Sequence, residues 1–143
     1  MLDLDGVVYV GRDGVPGAAP ALRAARERGA RLAFVTNNAS RPPEAVAEHL
    51  REVGVPAGTS DVVTSAQAAA RVLRERYGAG AAVVAVGAQG LHDALRAEGL
   101  EPVGATDDAV ALATGYGPDV PWRDLMTAAV RIRDGLAWVA TNT

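Results

Sequence analysis

The sharpest chemical feature is Asp3-Leu4-Asp5-Gly6. Two carboxylates two residues apart leave a strand on the same side if the chain stays extended. Gly6 permits a tight turn, so that backbone N–H groups could face a bound anion. Carboxylate oxygens are hard donors, and a pair of them suits Mg²⁺. Such an ion can bridge a carboxylate and a phosphate oxygen and offset the repulsion between them. One Asp could then attack phosphorus and form an aspartyl-phosphate, while the other protonates the leaving oxygen and later deprotonates water. The plain alternative is a solvated acidic turn whose Asp side chains cap a loop.

Thr36-Asn37-Asn38 is the second feature. It follows the apolar run Leu32, Ala33, Phe34, Val35, and so also sits at a strand's C-terminal end. In a parallel sheet it would share an edge with Asp3 and Asp5. A hydroxyl, an amide and the adjacent backbone N–H groups could hold phosphoryl oxygens that are not transferred. A polar turn capping the next helix is the alternative. Finding both features at two strand ends of one α/β chain favours phosphate chemistry over coincidence.

These residues need a scaffold of alternating strands and helices. Apolar runs at 2–4, 7–10, 31–36, 62–64, 81–86, 109–114 and 136–140 read as strands. Helices are expected over 18–28, from Pro42-Pro43 to Val53, over 65–77 and 89–98, and from Pro121 or Trp122 to Asp134. Glycines such as Gly29, Gly54, Gly99 and Gly135 stop them. Ser40 and Ser65 are expected N-caps, and residues 11–17 a loop. The pattern predicts an α/β, doubly wound or Rossmann-like fold with its site beyond the C-terminal strand ends. Gly78-Ala79-Gly80 marks a candidate domain boundary.

Composition narrows the function classes. The 143 residues are 49% apolar and 22% charged, a globular balance. All 14 basic residues are Arg against 17 acids, and the net charge of −3 without a basic block argues against a nucleic-acid partner. Lacking Lys, this chain holds neither a P-loop Lys nor a Schiff base. Lacking Cys, it holds no disulfide, thiolate nucleophile or Cys-ligated zinc, and two His argue against a His-rich metal site. No apolar run reaches membrane-spanning length and residues 1–5 are unlike a signal peptide, so a cytoplasmic, non-membrane protein is expected.

Asp3-Leu4-Asp5-Gly6-Val7-Val8-Tyr9 followed by Thr36-Asn37-Asn38 resembles the haloacid dehalogenase-like (HAD) hydrolase superfamily. More narrowly it resembles the class IIA group of NagD-like, 4-nitrophenylphosphatase-like and phosphoglycolate phosphatase-like enzymes. Val62-Val63-Thr64-Ser65, Val83 to Gly87 with Gly90-Leu91, and Ala137 to Asn142 extend the resemblance along essentially the whole chain. It implies a Mg²⁺-dependent phosphomonoester hydrolase acting on a small phosphorylated metabolite. Asp3 would be the nucleophile and a Mg²⁺ ligand. Asp5 would be the general acid/base, its backbone carbonyl binding the same ion. Thr36 would be the phosphate-binding hydroxyl and Asn37 would complete the cradle, with Gly6 counted beside them for its turn. The resemblance further implies an incomplete Rossmann-like core over 1–79 and the first part of an inserted α/β C2-type cap over 80–143. The full-length protein would dimerise through the cap.

The chain departs from the family pattern in several places. It lacks the Lys of the third motif. Asp107-Asp108 and Asp119 do not match the Gly-Asp and further Asp of the fourth. Gly115-Tyr116-Gly117 stands where members often have Gly-Leu-Asp, and the strand before Asp3 is cut to two residues. A fragment or truncated gene model is the simplest expectation, with poor or no turnover by the chain alone. The rival reading is a non-catalytic α/β module that binds phosphate or a partner.

Other residues read more plainly. Arg12 and Arg41 are expected to be solvated rather than phosphate-steering. His49 and His92 lie in helices with no carboxylate or second His at ligand spacing, and Trp122 and Trp138 are expected to pack. Gly87-Ala88-Gln89-Gly90 lacks the Gly-x-Gly-x-x-Gly spacing and reads as a turn into a helix. Thr141-Asn142 echoes Thr36-Asn37 but is not counted as catalytic.

Overall fold

Residues 1–142 are described by the computed structural model. By packing they divide into two units: Met1–Thr36 with Pro43–Thr64, and Asn37–Pro42 with residues 65–142. The helix that begins at Ser65 packs within the second unit.

The first unit runs β1 (Leu2–Asp3), β2 (Tyr9–Val10), β3 (Asp13–Gly14), α1 (Ala18–Glu27), β4 (Phe34–Thr36), α2 (Pro43–Glu52), a 3₁₀ turn (Thr59–Asp61) and β5 (Val62–Thr64). β1, β4 and β5 form a parallel sheet in that order, and β2 and β3 form a small antiparallel hairpin. Because the order advances in one direction, right-handed crossovers place both intervening helices on one face. Leu22 of α1 and Val46, Ala47 and Leu50 of α2 accordingly join Leu4, Phe34 and Val62 in one core cluster. Each fully buried Leu or Phe there contributes roughly 1.5–3 kcal/mol. Asp3, Val35 and Val63 are register partners, one step away from the Leu2, Phe34, Val62 row that faces the helices.

The second unit runs α3 (Ser65–Tyr77), β6 (Ala82–Val86), α4 (Gln89–Ala97), β7 (Glu101–Val103), β8 (Ala111–Thr114), α5 (Trp122–Arg133) and β9 (Ala137–Ala140). Its sheet is parallel, in the order β7-β6-β8-β9. The chain steps outward to β7, then crosses back over β6 to β8. This reversal is the doubly wound signature and sends the next helix to the opposite face. Val83, Ala111 and Ala113 therefore pack with α3 and α4, while Val84, Val86 and Leu112 pack with Ala128 of α5.

Several expectations need correcting. Residues 11–17 are not all loop, since Asp13–Gly14 pairs with Tyr9–Val10. β7 was not expected; Pro102 lies within it, which an edge strand tolerates because one side of it needs no N–H donor. Ser40 is not the N-cap of α2, which starts at Pro43; its hydroxyl donates to Asn38 Oδ1 instead. Trp122 and Trp138 are 73% and 53% exposed and so are not packing residues, although Trp138 Nε1–H donates to Thr114 Oγ1 at 2.9 Å. Among the described residues no helix is long and apolar enough to cross a membrane.

Candidate active site

Asp3 ends β1, and its carboxylate accepts the Leu4 N–H at 2.8 Å. Leu4 is fully buried between exposed Asp3 and exposed Asp5, so the two carboxylates share the solvent side of this segment. The ladder with β4 stops at Asp3, and Asp5 instead bridges to Tyr9. Between them the chain coils tightly: the Leu4 carbonyl lies within reach of the Val7, Val8 and Tyr9 N–H groups, at 3.2, 2.9 and 3.3 Å. Gly6 sits at φ +79°, a left-handed conformation that L side chains resist. Its N–H donates to the Tyr9 carbonyl at 2.9 Å. The Gly6 amide is thus engaged within the turn that its left-handed conformation permits.

The Leu2↔Phe34 and Asp3↔Val35 register places Thr36 at the same C-terminal edge as Asp3, on the neighbouring parallel strand. Thr36 is buried, and Asn37, the next residue in the chain, is exposed. The Asn37 carbonyl accepts from Ser65 Oγ at 2.8 Å, and Asn38 Oδ1 accepts from both Ser40 N–H and Ser40 Oγ at 2.8 and 2.6 Å. The Asn37–Pro42 segment packs with the second unit, where Ala39 is fully buried.

His49 proves to be a tie in the first unit. Its Nε2 lies 3.1 Å from the Gly11 carbonyl oxygen and its Nδ1 lies 3.3 Å from a Glu52 carboxylate oxygen, while Tyr9 meets its ring edge-on at 4.6 Å. The hairpin that follows Asp5-Gly6 is thereby fixed to α2. Sequence reading missed Glu52, although its i,i+3 spacing on a helix was the available signal.

A cleft of about 770 Å³ lies within the second unit at the C-terminal ends of β6, β7 and β8, where strand order reverses. Its lining includes Gln89, His92 and Arg96 of α4 together with Asp119 and Asp124. Burial holds the His92 imidazole below its ordinary value, and Arg96 adds to this against Asp93 and the Gly87 carbonyl. Gly87-Ala88-Gln89-Gly90 does lead into a helix, and the place of an anion at its start is filled by the chain itself: Gly90 N–H donates to the Ser40 carbonyl at 3.1 Å.

The profile of the haloacid dehalogenase-like hydrolases matches residues 1–101. The chain belongs to that family. Across 143 residues, 99% of this chain, it is 44% identical to a D-glycerol 3-phosphate phosphatase of Mycobacterium tuberculosis and 36% identical to an acid sugar phosphatase of Staphylococcus saprophyticus. It spans 40% and 54% of the lengths of those relatives. Among solved structures, the glycerol phosphate phosphatase of M. tuberculosis in complex with magnesium superposes with a TM-score of 0.91 at 45% identity, over 98% of this chain and 42% of that one. NagD from E. coli gives 0.84 at 28% identity, over 98% and 54%. The narrower resemblance to the NagD-like, class IIA members of the HAD family holds as well.

The donor set at the first HAD motif fits a divalent cation. Asp3 and Asp5 offer exposed, hard carboxylate oxygens, and Mg²⁺ needs only one or two carboxylates because it retains several waters. Among the described residues no group of three His, Cys, Asp or Glu could hold a metal ion. A site here would therefore rest on Asp3, Asp5, backbone oxygen, water and the substrate's own phosphate.

Proposed function

We propose that this HAD-family chain carries the nucleophilic half of a Mg²⁺-dependent phosphomonoester hydrolase acting on a small organic phosphate. The observation that carries the reading is the parallel register of β1 and β4, with Asp3 and Thr36 at one edge and Asp5 on the same solvent side as Asp3. Asp3 attacks phosphorus: its oxygen–phosphorus bond forms as the ester oxygen–phosphorus bond breaks. Asp5 gives its proton to the departing alcohol. Water then attacks the aspartyl-phosphate, Asp5 takes the water's proton, and Asp3 and phosphate separate. The Thr36 hydroxyl and the Asn37 segment orient the remaining phosphoryl oxygens, with Gly6 shaping the turn behind them. Bound Mg²⁺, held by the Asp3 carboxylate and the Asp5 carbonyl, would neutralise charge on the phosphoryl group.

The same reading assigns residues 1–79 to the first part of a HAD core and 80–143 to the first part of a C2-type cap. It includes a cytoplasmic location and dimerisation through the cap. The names of the relatives support glycerol phosphates and sugar phosphates as the substrate class. A second reading, phosphate binding without turnover, is favoured by the absence of any Lys in the 143 residues.

Release of phosphate from 4-nitrophenyl phosphate, with and without Mg²⁺, tests both. Weak Mg²⁺-dependent turnover abolished by Asp3→Asn supports the hydrolase. Turnover undiminished by Asp3→Asn refutes the assignment of the nucleophile. Mg²⁺-dependent binding of phosphate with no turnover selects the second reading.

A further inference from the structure

We infer that Ser65 and Gly90 are positioning residues that shape the phosphate-binding segment through the backbone of residues 37–41; the inference rests on the phosphatase reading above. Thr36 and Thr64 are register partners at the ends of β4 and β5. Asn37 and Ser65 are the next residue on each chain segment, and the Ser65 hydroxyl donates to the Asn37 carbonyl at 2.8 Å. A peptide unit is planar, so holding that carbonyl also fixes the plane in which the Asn38 N–H lies. A strand end that ran into a free loop would lose backbone entropy on being ordered around an anion. A loop already held presents its donors without that cost.

Gly90 holds the other end of the segment. As the second residue of α4 it has an N–H that the helix itself cannot satisfy, and it donates to the Ser40 carbonyl at 3.1 Å. Ser40 in turn donates twice to Asn38 Oδ1, and the Ala39 side chain is buried in the same cluster as Leu91. A Cβ on Gly90 would stand 2.6 Å from the Ala39 carbonyl oxygen and 2.7 and 2.8 Å from the carbonyl carbon and oxygen of Arg41. All three are backbone atoms, so any side chain at 90 must push the loop away. Gly is a weaker helix former than Ala. Its presence in the first turn of α4 is explained by this close approach.

The test is a ¹⁵N–¹H NMR titration of the 143-residue chain with inorganic phosphate in the presence of Mg²⁺, read at the Thr36 and Asn37 amides. Ser65→Ala is expected to weaken phosphate binding about three- to tenfold, the measure of one neutral hydrogen bond. Ser65→Thr keeps the hydroxyl donor and is expected to stay within about twofold of the parent. Gly90→Ala is expected to weaken binding by more than about tenfold, since backbone rather than a flexible side chain must move, and to abolish slow exchange of the residue 90 amide. Should Gly90→Ala fail to fold, the Ser65 pair decides. Phosphate binding that is equal in the parent, Ser65→Ala and Gly90→Ala overturns the inference and leaves the phosphatase reading standing. Weakening by Ser65→Ala that Ser65→Thr does not spare also overturns it. A parent chain whose amides do not respond to phosphate overturns the reading and the inference together.

Discussion

The first sheet has Leu22 of α1 and Leu50 of α2 on one face, while Val63, in the row with Asp3 and Val35, is 45% exposed on the other. The second sheet has Val83 packed with α3 and α4 and Val84 packed toward α5, so both faces of its central strands are covered. Strand order explains the contrast. The order β1-β4-β5 advances one way and leaves its crossovers on one side, whereas β7-β6-β8-β9 reverses and places a helix on each. The acidic strand end belongs to the one-faced sheet, and Asp3 lies in its open row. The loop after Thr36, in contrast, is held by the two-faced unit. The Asn37–Pro42 segment thus draws rigidity from a different core than Asp3 and Thr36 do.

Core truncations give the largest expected effects. Phe34→Ala in β4 should lower stability by about 3–5 kcal/mol and Leu112→Ala in β8 by about 2–5 kcal/mol, both side chains being fully buried. Urea unfolding with residue-resolved hydrogen exchange should show each loss confined to its own sheet. Equal loss of protection in both sheets for either variant would mean that the two units unfold as one.

Acid should affect the two units in different windows. His92, in the second unit, ionises below its ordinary value of 6.5 chiefly because its half-buried position desolvates the charged form. The unfolded chain takes up that proton first, so stability is full above 6.5 and falls as pH drops toward the folded value. His92→Gln should flatten that slope in pH-dependent urea unfolding. In the first unit, Asp61 is held below its ordinary 3.8, first by the Gly58 N–H and then by Arg26 at 2.8 Å. Its contribution is present above 3.8 and is lost as pH falls through the folded value. The pair is partly exposed, so Asp61→Asn should cost only about 0.2–1 kcal/mol at neutral pH, and nothing at a pH below the folded value. The smallest effect is expected at the open face: Val63→Thr should change stability by less than about 0.5 kcal/mol, against several for the buried positions.

Legibility followed the length of each signal. Helices α1, α3, α4 and α5 were read within a residue or two, because ten or so residues of apolar spacing end at a glycine. The two-residue β3 carries no pattern, and β7 contains Pro102, which argues against a strand until its edge position is known. The shared edge of Asp3 and Thr36 was legible because alternating strands and helices imply a parallel sheet. The engaged Gly6 N–H and the seating of residues 39–41 against Gly90 were not, because both depend on which backbone comes close in space.

Sequence alone determined the alternation of elements, the residue types at two strand ends and, through their resemblance to one family, the chemistry they suit. It did so because those signals are local: periodicity, glycine stops, and the oxygen donors of Asp, Thr and Asn. Tertiary structure decided which face each sheet leaves open, that His49 ties the hairpin to α2, and that the segment after Thr36 is held by Ser65 and Gly90. Those outcomes depend on strand order and on close approach between distant residues, as between the Gly90 α-carbon and the Ala39 carbonyl, and no local pattern encodes such a distance.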